Sequence, residues 1–520
     1  MLGGFLDNLR SKRKHDGGVV LVDAGDMFQG TIAANETQGV AVIRAYNALG
    51  YHAVTIGNHE YDYGPAGAAN IPQSPEDNPR GALLAAAAHA SFPLLAANTQ
   101  EKSSSKPVQW PGVAPSTIVE AGGVKIGIVG VASLHALDAT IASNVSDLKM
   151  APLAETVEHE AKRLREQGAA FVVVAAHAGG GCKKFDNPDD ISSCEPSEIF
   201  NLARALDPSL VAVVVAAHTH QAVAHRVNGI AIIQSYAYGS SFGRADVRVD
   251  PSTSDAVVVR IHPPQSLCSA QGERQNKAPP SEASCEPGHY EDAPVQRSAS
   301  VQAAIAQDIQ SAEAKRNEPL GITLPKTLSH RGNPSSPAGD HIAAWMLATR
   351  PKADIAIVNG GGIRADLPKG PLAYGSLYEL FPFDNRYASI RVKVDVARKL
   401  LREGLLGADN YSVAGVQVQA TCKGDELQVD IIRHGRPLRD NESVVVLMSD
   451  YLAMTPRVKQ AGMPQEDFVY EQDPPIREAI AAYLRTQGAT FSPLSSSPIS
   501  IPSTWPVSCS GKPRRSYQRF

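Results

Sequence analysis

Along the first half of the chain, apolar runs rich in β-branched residues alternate with segments whose apolar and charged positions recur at helical spacing. The runs are "GGVVLVDAGD", "YHAVTIGNHE", "KIGIVGVASL", "AAFVVVAAH" and "VAVVVAAHTH", and "AETVEHEAKRLREQ" is one of the helical segments between them. Near-continuous apolar strands are covered on both faces, which predicts a layered α/β core. "GIAIIQSYAYGSSFGRADVRVD" and "AVVVRIH" follow with no helical pattern between them, so the sheet is expected to acquire antiparallel partners. Residues 264–299, rich in Pro, Ser, Gln and charge, read as loop. In "SVQAAIAQDIQSAEAKR", Val301, Ala304, Ile305, Ile309 and Ala312 recur at helical spacing, with Pro319 just beyond. This predicts a helix near 300–316 joining two domains. The expected division is a first domain over 1–263, loop and linker helix over 264–319, a second α/β domain over 320–490, and a Ser/Pro-rich mobile tail over 491–520.

A chain of 520 residues has room for two or three such domains. A formal net charge of -4 gives no global basic footprint, which disfavours nucleic-acid binding. No apolar run approaches the roughly 20 residues of a membrane span. The opening "MLGGFLDNLRSKRKHDGG" has no apolar core of signal-peptide length. The cysteines point the other way. Cys182 and Cys194 bracket one short polar loop, and Cys268 and Cys285 bracket another. Local bridges closing each loop imply an oxidising compartment; the alternative is four unpaired surface thiols. Cys422 and Cys509 are too distant in sequence to be paired by argument.

The polar residues that end the apolar runs carry the chemistry. They are Asp26, then Asn58 and His59, then His177, then His218 and His220. In open α/β sheets, ligands bind beyond the carboxyl ends of the strands. A polar residue leaving a strand is commonplace; four strand ends that offer Asp, Asn and His point to a metal. No thiolate is among them, which excludes a structural cysteine zinc site. Carboxylate, amide oxygen and imidazole together suit catalytic Zn, Mn or Fe. An Asp bridging two ions would allow them to bind a phosphate oxygen and to acidify a water between them. His218 and His220 are two apart, so on an extended chain they point the same way.

"GDMFQGT" (Gly25–Thr31), "GNHEYD" (Gly57–Asp62), "AAHAGGG" and "AAHTHQ" resemble successive blocks of the calcineurin-like metallophosphatases. "NGGGIRADLPKGPLAYGSLYELFPFDN" (Asn359–Asn385) resembles the carboxyl-terminal domain of the 5'-nucleotidases. Both sets occur in order and span about Leu2 to Tyr483, so the chain is similar to the 5'-nucleotidase and UDP-sugar hydrolase family. The resemblance implies a two-domain α/β protein. A four-layer α/β/β/α metallophosphatase sandwich precedes a smaller α/β nucleotide-binding domain, whose rotation brings substrate to the metals. It implies two divalent ions, Zn, Mn or similar, with Asp26 bridging. Asn58, His177 and His218 would complete one site, and His220 would serve the other. His59 would contact the phosphate and Asp62 would orient it; the alternative makes His59 a metal ligand. Asn359 and Arg364 would contact the nucleotide, and Phe383 would stack on the base unless it is a core residue, a role that suits Phe381 better. Arg331 would be a further substrate arginine, or else a surface one. The implied reaction is hydrolysis of nucleoside 5'-monophosphates by metal-activated hydroxide. Cyclic nucleotides or UDP-sugars are the alternative substrates, and a nucleotide-binding pseudoenzyme is the alternative class.

Two departures from the pattern matter. The family's first strand carries an Asp-x-His motif, and Asp7 and His15 lack that spacing. The second metal then keeps only Asp26 and His220, and the motif, with a signal peptide for an extracellular or periplasmic protein, is expected upstream of residue 1. After "VVVLMSDYLAM" the family has a Gly-Gly-Asp-Gly-aromatic segment, where this chain has "TPRVKQAGMPQEDF". Phe468 is the aromatic left there to close the base site, so base specificity stays open.

Overall fold

Phe171–His177 is buried along its whole length, as its unbroken apolar pattern requires of a strand covered on both faces. In the computed structural model it is central in a six-stranded sheet. The order is Ala222–Val227, Ile230–Ser235, Val211–Ala216, Phe171–His177, Val124–Ala132, Ser116–Ala121. The four inner strands are parallel, and each edge strand is antiparallel to its neighbour. A smaller, wholly parallel sheet has the order Val22–Asp23, Ala53–Thr55, Leu94–Leu95, Val113–Ala114. The structure describes residues 1–67, 71–250, 256–268, 285–286, 288–406, 410–424, 426–471, 474–488, 494 and 497–500.

The two sheets face one another. Ala53 and Leu95 of the smaller pack against Ile128 of the larger, and Thr55 Oγ1 donates across the gap to Ala175 O at 2.9 Å. Helices Val40–Leu49 and Gly81–Ala87 cover the outer face of the smaller sheet through Ile43 and Leu83. Helices Leu153–Glu166 and Glu198–Ala205 cover the larger through Val157, Ala161, Ile199 and Phe200. The layers are therefore α/β/β/α. The expected antiparallel pairing forms in part, between Ala222–Val227 and Ile230–Ser235 of the larger sheet, but the later strands do not join it. Ser241–Val249 and Ala256–Ser266 pair with each other as a separate two-stranded sheet and do not extend the larger one. Val258 and Ile261 instead lie on its inner face against Val213, Ala231 and Ile233, apolar surface that the four-stranded sheet is too narrow to cover.

The chain divides into two compact units between Ile309 and Gln310, inside a helix that spans Ala299–Arg316. The apolar spacing locates this helix but not its burial, since Ile309 is 37% exposed. The second unit is built on a five-stranded sheet ordered Ser412–Ala414, Ile355–Val358, Ser443–Ser449, Tyr387–Lys393, Val469–Tyr470. Helix Pro337–Thr349 starts where the Ser336 side chain accepts from Gly339 N, with Pro337 opening the first turn. Strand Glu426–Arg433 alternates exposed and buried, turning Leu427, Val429 and Ile431 towards Leu400 and Leu401. Phe468, 7% exposed, belongs to this core and lies 5.8 Å from the Tyr470 ring. It is a packing residue of this core rather than a ring turned to a base site. Most of the tail over 491–520, and residues 269–284 of the loop, lie outside the described residues.

Cys182–Cys194 and Cys268–Cys285 are disulfides, and Cys422 is also bonded. The Cys182–Cys194 pair closes a loop with a sequence separation of 12, and Cys182 packs into the core under the larger sheet. Replacing both by serine should lower unfolding stability by about 2–4 kcal/mol, mainly by freeing the unfolded chain. Denaturant titration checks this, and an unchanged midpoint would count against it. Non-reducing peptide mapping should recover both local pairs.

Candidate functional site

Three of the residues that follow the parallel strands sit in left-handed backbone conformations: Asp26 at φ 60, His218 at φ 81 and His220 at φ 54. Non-glycine residues held this way cost of order 1–3 kcal/mol each and persist only where their surroundings over-determine them. Glu60 supplies part of that hold. Its carboxylate, in a side chain 1% exposed, accepts from Asp26 N at 3.0 Å, Phe28 N at 3.1 Å and Gly57 N at 2.6 Å. Burial, then the nearby Asp26 charge, raises Glu60 to about 7. Gly57 must be glycine, since a Cβ there would stand 2.5 Å from Asp26 Oδ1.

Three donor groups converge around His177 Nε2, itself a fourth. Asn58 Oδ1 and His218 Nδ1 both lie 3.0 Å from it, and Asp26 Oδ2 lies 3.2 Å away. His177 Nδ1 faces Ala24 O at 2.9 Å, which fixes the ring and turns Nε2 inward. Asn58 Nδ2 donates to Ala139 O at 3.1 Å, which aims Oδ1 at the same point. Burial, then the charge on His177, pushes His218 down to about 4, so its ring is neutral at pH 7. Burial alone would raise Asp26, but His177 and His59 outweigh it and hold the carboxyl below its usual range. One imidazole nitrogen carries at most one proton, yet it faces three electron-rich atoms. Lone pairs converging without enough protons suit a cation. The donor set therefore fits a divalent metal, which Asp26, Asn58, His177 and His218 would hold. Cys182, Cys194 and His225 also cluster, but their sulfurs are joined to each other.

His59 adjoins this group without entering it. Its backbone N donates to Asp26 Oδ1 at 3.0 Å, and its Nδ1 is 2.6 Å from Asp62 Oδ2. Thr140 Oγ1 donates to the other Asp62 oxygen at 2.8 Å. Burial opposes the charged imidazole, but Asp62 and then Asp26 outweigh it, raising His59 to about 9. At neutral pH His59 is a held cation with Nε2–H turned away from Asp62. The ring of His220 is edge-on to Tyr238 at 5.5 Å, and its charge acts on His218.

In the second unit, Asn359 precedes the turn Gly360–Gly362 and its carbonyl accepts from Gly362 N. Arg364 follows on an exposed loop, tied to Leu380 O through its backbone N at 2.8 Å. Its guanidinium carbon lies 5.9 Å from the Phe383 ring centre. Phe381 is buried at 2% exposure, while Phe383 is half-buried, so the two rings serve different surroundings. Arg331 is exposed, with Nε 3.3 Å from His330 Nε2.

Residues 314–457 match the family described as 5'-nucleotidase, C-terminal domain. Endonuclease YhcR of Bacillus subtilis is 27% identical over 78% of this chain, which spans only 30% of that protein's length. A 5'-nucleotidase of Diplobatis ommata is 24% identical over 86% of this chain and 75% of its own. The solved 5'-nucleotidase precursor from Thermus thermophilus superposes with a TM-score of 0.66 at 21% identity, covering 96% of this chain and 92% of that one. Residues 314–457 therefore carry a 5'-nucleotidase C-terminal domain, and the chain as a whole is similar to 5'-nucleotidases. The sequence motifs alone did not single out Glu60 and Asp23. Asp23 holds the same turn, accepting from Gly25 N and the Tyr46 hydroxyl, both at 2.8 Å. Both acids lie inside the quoted motifs, and their burial was the signal that only the fold supplies. No helix among the described residues is long and apolar enough to cross a membrane.

Proposed function

We propose that the chain is a metal-dependent phosphoesterase that hydrolyses nucleoside 5'-monophosphates outside the cytosol. The observation that carries this is the convergence of Asp26, Asn58, His177 and His218 beside the charged His59–Asp62 pair. Divalent ions held there, with His220 serving the second, would act as Lewis acids on the phosphoryl group and lower the pKa of water. The residues do the rest. Asp26 stays ionised, and His177 offers Nε2 because Nδ1 is committed to Ala24 O. His59 directs a protonated nitrogen at charge that gathers on the phosphoryl oxygens in the transition state. Asp62 keeps it charged and oriented. In the second unit, Asn359 and Arg364 bind polar groups of the nucleotide, Phe383 stacks on the base, and Arg331 adds positive charge. Two local disulfides support a site of action outside the cytosol.

Phosphate release from a panel of nucleoside monophosphates, cyclic nucleotides and UDP-sugars, before and after chelation, tests the reading. Hydrolysis that survives complete metal removal would sink it, and a preference for the other substrates would reassign the enzyme within the fold. Phe383→Ala should weaken use of nucleotides about ten-fold or more, because base stacking is worth roughly 1–3 kcal/mol. A small aryl phosphate, which has no base, should be little affected. Equal losses on both would demote Phe383 to packing.

A further inference from the structure

Arg477, the second residue of helix Ile476–Gln487, is 4% exposed. A guanidinium withdrawn from water needs acceptors for its N–H groups, and the acceptors it has found are informative. Nη1 reaches three consecutive carbonyl oxygens: Pro382 at 2.8 Å, and Phe381 and Phe383 at 3.4 Å each. Nη2 pairs with the Asp384 carboxylate. Nε donates to the Tyr374 hydroxyl and to Glu478 Oε1, both at 3.2 Å. The Tyr378 ring lies 4.0 Å from the guanidinium carbon, and Ile476 N donates to Asn385 O at 2.9 Å. Residues 381–385 lie outside helix and strand, so no ladder fixes their path. The start of one helix fixes it instead. A lysine, with a point charge and no planar fork, cannot serve three carbonyls and a carboxylate together.

We infer that Arg477 is a positioning residue for nucleotide recognition, holding the loop of Phe381–Asn385 so that the Phe383 ring is presented to the base beside Arg364. This rests on the reading of Phe383 as the base-stacking residue. The loop alternates a buried Phe381 with a half-buried Phe383, and the Arg477 contacts fall on the backbone between and around those two rings. Releasing that backbone leaves the Phe383 ring chemically intact but no longer preset, so the ordering cost falls on nucleotide binding.

The test uses the full chain with adenosine 5'-monophosphate and p-nitrophenyl phosphate as substrates. Circular dichroism and thermal melting establish which variants fold. Arg477→Lys should raise the KM for the nucleotide about ten-fold and leave the aryl phosphate within about two-fold. Combined with Phe383→Ala it should add little to Phe383→Ala alone, because both act through one ring. Asp384→Asn, at a half-buried position, loosens the same clamp and should show a smaller shift of the same kind; it decides the matter if Arg477→Lys does not fold. Equal losses on both substrates, or a double variant whose effects multiply, would reduce Arg477 to a purely structural role. If Phe383→Ala itself fails to separate the two substrates, the stacking reading falls and this inference with it.

Discussion

His177→Ala should abolish tight metal binding, lowering affinity for the divalent ion at least about 100-fold. Loss of a group that merely supports a ligand already costs 10–100-fold, and His177 is itself central. Its Nε2 stands within 3.2 Å of Asn58, His218 and Asp26, and the ring is fully buried. Removing a buried ring also opens a cavity, so a second variant is needed to separate metal loss from loosened packing. Asp26→Asn keeps the shape and removes only the charge. Both should fold and both should lose metal on dialysis, as read by elemental analysis. Wild-type stoichiometry in two folded variants would move the centre elsewhere.

His59→Ala should lower turnover at least about 100-fold while metal content stays unchanged, the range expected for acid–base or charge-stabilising groups. The geometry separates this outcome from the previous one. His59 meets Asp26 through its backbone N, and its Nδ1 is taken by Asp62 at 2.6 Å. Asp62→Asn should give a smaller fall, since the imidazole remains but loses the partner that keeps it charged. Loss of metal from the folded His59 variant would make His59 a ligand.

The layered core of the first unit was readable because its strands are covered on both faces, so their composition alone marks them. The hairpin Ser241–Val249/Ala256–Ser266 was not. A strand that extends a sheet and one that lies across its face share the same pattern of apolar positions, and only the width of the opposite sheet decides between them. At the site, the donors were legible as polar residues ending apolar runs, but what holds them was not. Nothing in the sequence pattern marks Glu60, yet it accepts from three backbone amides. Asn58, His177 and His218 come together with Asp26, and the His220 ring packs edge-on against Tyr238, although sequence spacing treats the two histidines alike. Their left-handed backbones at 218 and 220 break the extended geometry on which that spacing argument relies. Phe468 looked available for ligand only because its place in the core of the second unit depends on strands distant in sequence.

The left-handed conformations of Asp26, His218 and His220 also bear on how freely this sequence can drift. Globular domains fold with only about 5–15 kcal/mol to spare, and the first unit commits part of that reserve to holding three polar residues in backbone shapes they disfavour. A mildly damaging substitution in Val157 or Ile199, in the core beneath the outer helices, draws on the same reserve. Tolerance to mutation in the outer helices is therefore narrower than their distance from the chemistry suggests, and neutral variation should collect in the solvent-facing positions that contribute nothing to the layers.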